Sequence, residues 1–149
     1  MRLLIQRVTE AAVTVADETV GRIGRGLLVL VGVGHDDTAE DVAYLAQKLV
    51  ALRIFDDEQG VMNLDVRQIG GEVLAVSQFT LLAATRKGNR PSYIAAAPEA
   101  LSRPLYEAFV AQTAQLLGRP VPTGRFGADM QVSLVNDGPV TIWIDSKNK

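Results

Sequence analysis

The run Leu27-Leu28-Val29-Leu30-Val31, extended by Gly32 and Val33, constrains this chain more than any other segment. It has no polar residue at the alternate positions where a half-exposed strand would show one, so it reads as a strand covered on both faces. It is also far short of the roughly 20 apolar residues needed to cross a bilayer. A strand buried on both sides needs a sheet around it and further layers over that sheet.

The remaining chain supplies both. Apolar runs of strand length lie at Leu3 to Val8, Ala12 to Val15, Val73 to Val76, Gln131 to Val135 and Val140 to Ile144. The turn-rich stretches Ala16-Asp17-Glu18 and Gly21 to Gly26 predict antiparallel hairpins in the N-terminal third. A first helix is expected to begin with Asp37 as cap and Glu40 returning the bond, followed by the stripe Val42, Leu45, Ala46, Leu49 and Val50. A second is expected between Pro98 and Leu117, with Leu101, Leu105, Ala108, Phe109 and Leu116 on its apolar side and a stop at Gly118 and Pro120. The predicted class is α+β: a curled, mostly antiparallel sheet, a barrel-like roll, with two main helices. It forms a single domain over residues 1–149, without internal repeats.

Composition narrows the chemistry. A chain that is 48% hydrophobic and 21% charged, with no run of like charge, packs rather than staying disordered. With no cysteine there are no disulfides, thiolate nucleophiles or thiolate-held metals, and one histidine leaves no conventional transition-metal site. The opening Met-Arg-Leu-Leu-Ile-Gln-Arg has too few apolar residues for a signal-peptide core, so a soluble, cytoplasmic protein is expected. A net charge of −2 gives an RNA ligand no broad basic surface, so any such ligand must be gripped locally, by its end or its shape.

Several motifs are bland. Placing Gly60 at position six of a calcium loop puts Phe55 and Val66 where carboxylates are required, so Asp56 to Gly60 reads as a solvated turn. The glycines of Gly21 to Gly26 fit neither a dinucleotide fingerprint nor a phosphate loop, and no nucleotide cofactor is implied. His35, before the first helix, is sufficiently explained as a polar turn residue. No Gly-x-Ser-x-Gly elbow surrounds any serine, which argues against a triad with Ser77 or Thr80. A hydrolase of this sequence must work by positioning and by backbone or amide donors.

Three segments remain open between structure and chemistry. Ser77-Gln78-Phe79-Thr80 is either a strand end with a wet face or an anion hole, in which Gln78 and main-chain amides near Phe79 receive an ester carbonyl while Thr80 and Ser77 hold the attacking group or a ribose hydroxyl. Asn136-Asp137-Gly138-Pro139 is either a hairpin turn or a place where a cis X-Pro bond aims two carbonyls in a fixed direction. The loop Thr85 to Ser92 carries Arg86, Lys87 and Arg90, as solvated charge or as weak phosphate contacts.

Taken together, Ser77 to Leu81, Arg86-Lys87-Gly88, Pro91-Ser92, Thr123-Gly124-Arg125-Phe126-Gly127-Ala128-Asp129-Met130 and Val135 to Thr141 resemble the D-aminoacyl-tRNA deacylase family. Ile5-Gln6-Arg7-Val8 and Gly26 to Leu30 extend the resemblance over essentially the whole chain. It implies a homodimer in which a cis Gly138-Pro139 element enters the partner's active site and rejects L-aminoacyl substrates. It also implies hydrolysis at the 3′ end of aminoacyl-tRNA without metal or cofactor, as chiral proofreading in translation. Ser77, Gln78, Phe79 and Thr80 would then be the catalytic segment, and Arg7, Phe126 and Met130 would frame the adenosine. Fixed main-chain atoms that fill the space of any L side chain would reject by clash and leave glycine unopposed. Two other classes compete: a non-catalytic module that binds RNA or nucleotide ends, and a general serine or threonine esterase dependent on Ser77 or Thr80.

Overall fold

The computed structural model describes residues 1–149. Its spine is β1 (Arg2–Val15), one strand where the sequence suggested two. Along one edge β1 pairs antiparallel with β7 (Gln131–Asp145); along the other it pairs with β3 (Gly26–Gly32) and then with β2 (Glu18–Ile23). The β1–β2 hairpin turns through Ala16 and Asp17, both at positive φ. After Gly24 and Arg25 the chain returns to β1 rather than β2, so only the first of the expected hairpins is one. β6 (Glu72–Ser77) adds to β3 in parallel, and a short ribbon of β4 (Phe55–Asp56) and β5 (Met62–Leu64) stands apart.

The curl of the sheet is visible in how β1 distributes its side chains. Register shifts at Gln6/Val8 and Val8/Glu10 separate Leu3 and Ile5, which enter the main core, from Val8, Ala11 and Val13, which enter a second cluster. β3 serves both clusters, Leu27, Val29 and Val31 facing the main core and Leu28 the second, as expected of a strand without polar alternation. β6 does the same, with Val73 and Ala75 on one side and Leu74 and Val76 on the other. Each of the valine, leucine and isoleucine side chains among these contributes about 1.5–3 kcal/mol by leaving water.

Two helices cover the main core, α1 (Ala39–Ala51) and α2 (Glu99–Leu117). The α1 stripe is the predicted one, but its cap is Thr38, one residue later than expected. The Asp41 carboxylate accepts from the Thr38 amide at 2.8 Å. Asp37 is otherwise engaged: it forms an ion pair with the Met1 ammonium and accepts from the Gly34 amide at 2.6 Å, joining the chain start to this turn. In α2 the buried residues are Tyr106, Phe109, Thr113 and Leu117, whereas Ala108 is exposed. No helix is long and apolar enough to cross a membrane.

β7 is continuous through the segment that composition marked as a turn. Gln6 faces Thr141 and Val8 faces Asn136, so residues 137–140 have only Arg7 opposite them and bulge out of the ladder. Asn136 staples the base of this bulge, its Oδ1 accepting from the Val140 amide and its Nδ2 donating to Thr141 Oγ1, both at 2.9 Å.

Candidate active site

The site begins where β6 ends. The Gln78 amide donates to the Val31 carbonyl at 2.7 Å, one residue past the strand, and the chain then turns into a 3₁₀ segment, Phe79–Leu82. That turn packs on β3 at Gly32. A Cβ there would lie 2.6 Å from Leu82 Cδ2, 2.9 Å from Leu81 Cβ and 3.1 Å from the Gln78 carbonyl, so any side chain would push the turn off the sheet. The first amides of such a turn have no acceptor within it. Gln78 Nε2 donates to Thr80 Oγ1, fixing the side-chain amide against the hydroxyl.

Ser77, Gln78 and Phe79 line a pocket of about 480 Å³ together with Tyr93, the α2 residues Glu99, Ser102 and Tyr106, and the segment Phe126 to Met130. Phe126 and Met130 thus share one cavity with the Gln78–Phe79 turn, whereas Thr80 does not line it. Phe79 is 57% exposed, and its ring sits 5.0 Å from that of Tyr93. Tyr93, Glu99, Ser102 and Tyr106 escaped the sequence reading. Only the burial phase of α2, led by Tyr106 and Phe109 rather than by aliphatic residues, could have pointed to the last of them.

Tyr106 ties the pocket to the sheet. Its hydroxyl donates at 3.0 Å to the Ala75 carbonyl, which also accepts from the Gly124 amide at 3.1 Å, so α2, β6 and the 124–130 segment meet at one oxygen. Burial, reinforced by the charge of Glu107, pushes the Tyr106 phenol up to about 12. A raised acid favours its neutral form in the fold, so this stabilisation is complete below the ordinary value near 10 and is lost as pH rises towards 12. Tyr106→Phe is expected to cost about 1 kcal/mol at neutral pH. It should also remove roughly 2–3 kcal/mol of the stability lost between pH 10 and 12, read by urea unfolding beside the parent protein.

Other predicted residues lie elsewhere. Arg7 does not line this pocket with Phe126 and Met130; it is 9% exposed beneath the β7 bulge. Its Nε donates to the Asp137 carbonyl at 2.9 Å and its Nη1 to the Ile54 carbonyl at 2.7 Å, with Asp137 and Asp56 carboxylates at 3.6 and 3.8 Å. The Gly138–Pro139 bond on that bulge is cis, and neither residue lines the pocket. Arg86, Lys87 and Arg90 are exposed on a hairpin closed by paired Ala84 and Ser92 amide bonds of 2.8 and 2.9 Å. His35 is exposed, with Nε2 2.8 Å from the Ile94 carbonyl, and is no base for Ser77 or Thr80.

Residues 4–145 match the family model described as D-Tyr-tRNA(Tyr) deacylase. The chain is 60% identical over 148 residues to a D-aminoacyl-tRNA deacylase of Chromobacterium violaceum, spanning 99% of each. It is 56% identical over 149 residues to one of Flavobacterium psychrophilum, spanning 100% of this chain and 99% of the relative. A solved structure described as c-Myc DNA Unwinding Element Binding Protein superposes with a TM-score of 0.92 at 40% identity, covering 97% of this chain and 98% of that one. Another, described as a probable eukaryotic D-amino acid tRNA deacylase, shares the fold with a TM-score of 0.82 at 19% identity, covering 96% and 97%.

Proposed function

The chain belongs to the D-Tyr-tRNA(Tyr) deacylase family, and from that premise we propose that it hydrolyses the ester joining a D-amino acid to the 3′-terminal adenosine of transfer RNA. It is a D-aminoacyl-tRNA deacylase, a hydrolase of the aminoacyl-tRNA ester. The observation that carries the finer reading is the sharing of one pocket by the Gln78–Phe79 turn and by Phe126 and Met130. The adenine stacks at Phe126 and Met130, an interaction worth about 1–3 kcal/mol and indifferent to the rest of the tRNA. The ester carbonyl lies at the turn, where the Phe79 amide and Gln78 receive its developing negative charge. The attacking oxygen comes from water or a tRNA hydroxyl; Ser77 orients it rather than attacks, and Thr80 acts through the Gln78 side chain that its hydroxyl holds.

Selection against L substrates is assigned to a second copy of the chain. Gly138 and Pro139 are exposed on a bulge that does not line the chain's own pocket, so they act in a partner's. An edge strand β7 that leaves Val135 50% and Trp143 48% exposed supports such a dimer. Fixed main-chain atoms would occupy the space of any L side chain, and glycine would pass. The work belongs to translation in the cytoplasm.

The test is release of amino acid from matched D-tyrosyl-, L-tyrosyl- and glycyl-tRNA. Turnover of the D ester with the L ester intact is expected, and binding without turnover would instead favour a nucleotide-end-binding module. The structural relative named for DNA binding gives that alternative a precedent, yet this chain has a net charge of −2 and so no broad basic surface for a nucleic acid. Ser77→Ala and Thr80→Ala should each lower kcat by less than about tenfold, far below the 10²–10³ lost with a good anion-hole donor. An acyl group trapped on either hydroxyl would refute this chemistry.

A further inference from the structure

Phe126 lies on a segment without regular secondary structure, yet its ring is held from two directions by α2. The Tyr106 ring meets it at 5.7 Å with a tilt of 49°. The Arg103 guanidinium carbon lies over the ring, 4.5 Å from its centroid. Arg103 is itself fixed one helical turn from Glu99, whose Oε1 accepts from Nη2 at 2.5 Å and from Nε at 2.9 Å. Glu99 and Phe126 line the pocket, and Arg103 does not. The guanidinium thus meets the ring from a residue that is not itself part of the pocket lining.

We propose that Arg103 is a positioning residue for the terminal adenosine: clamped by Glu99, it holds Phe126 so that one aromatic surface stays presented to the base. This rests on the reading of Phe126 as the adenosine platform. A solvent-accessible cation over an aromatic ring, as here over half-buried Phe126, is attracted by about 0.5–1 kcal/mol. A ring fixed before binding also loses less rotamer freedom when the base arrives. Both effects act on binding rather than on the ester, so they belong in KM and not in kcat.

The experiment measures KM and kcat on D-tyrosyl-tRNA, and inhibition by 5′-AMP, for the parent protein, Arg103→Met, Arg103→Lys, Phe126→Leu and the Arg103→Met/Phe126→Leu pair. Arg103→Met is expected to raise KM and the AMP inhibition constant together by about three- to fivefold, or about 0.7–1 kcal/mol at 1.4 kcal/mol per tenfold. Its kcat should stay within about twofold, Arg103→Lys should recover part of the loss, and Arg103→Met should add nothing once Phe126 is Leu. An unchanged KM in Arg103→Met, with Phe126→Leu impaired, overturns the role of Arg103 alone. A loss that persists in the Phe126→Leu background and grows weaker with salt means that Arg103 touches phosphate directly, and overturns it too. If Phe126→Leu leaves KM and AMP inhibition unchanged, the adenosine platform itself is wrong and this inference falls with it.

Discussion

Arg7→Met is expected to slow deacylation of D-tyrosyl-tRNA by on the order of 10²-fold in a protein that still folds, because a displacement of about an ångström at a site can cost that much. The guanidinium is nine-tenths buried and reaches two carbonyls that no other side chain serves, Asp137 at 2.9 Å and Ile54 at 2.7 Å. Methionine fills a comparable volume but donates nothing. Each carbonyl left unpaired costs about 1–3 kcal/mol, so stability should fall by roughly 2–6 kcal/mol. The functional loss follows from where the carbonyls are. Residues 137–140 have only Arg7 opposite them in the ladder, so without it the bulge bearing Gly138 and Pro139 keeps only its Asn136 staple. Arg7→Lys retains charge but not the fork that serves two acceptors at once, and should fall between the two. Rates on D- and L-tyrosyl-tRNA beside urea unfolding curves decide the matter; a variant of lowered stability but unchanged rate and D/L preference would show that the bulge plays no part in the site.

Arg7 also shows where sequence reading stops. The strand covered on both faces, the α1 stripe and the extent of α2 follow from local periodicity and end signals, and those survive in any tertiary setting. The path through Asn136 to Val140 does not. Asp, Gly and Pro normally end strands, and only the pairing of β7 along the whole of β1 reveals a bulge inside a continuous strand. Asp37 misled for a related reason: it has the composition of a cap, but the Met1 ammonium, adjacent only in the fold, claims it and leaves capping to Thr38 and Asp41. The Gln78–Phe79 turn and the Phe126–Met130 segment were legible as separate motifs, whereas the α2 residues that share their pocket, Tyr106 above all, were not singled out in the sequence. Long-range pairing, rather than propensity, decides each of these cases.

Phe79→Pro should be the most damaging single substitution that leaves the fold intact. If the Phe79 amide receives the ester oxygen, the decisive change is to delete one N–H without moving the backbone, and this position permits it. Phe79 opens the 3₁₀ segment, where an N–H has no acceptor within the turn, so proline forfeits no internal bond and its fixed φ suits a helical start. Gln78 before it, at φ −145° and ψ 83°, lies outside the α region that a following proline disfavours. The ring of Phe79 is 57% exposed, so its loss empties little core. What disappears is the donor. No His, Asp or Glu side chain is hydrogen-bonded to Ser77 or Thr80, so charge stabilisation is expected to carry much of the rate, and losing one good donor costs about 10²–10³ in kcat. Phe79→Ala, which discards the ring but keeps the amide, isolates that contribution and should stay within about tenfold of the parent, since exposed side-chain losses are small. Single-turnover hydrolysis of D-tyrosyl-tRNA by the two variants is the measurement. If proline and alanine at this position are equally active, the oxyanion is held elsewhere and the role assigned to the Gln78–Phe79 turn is wrong.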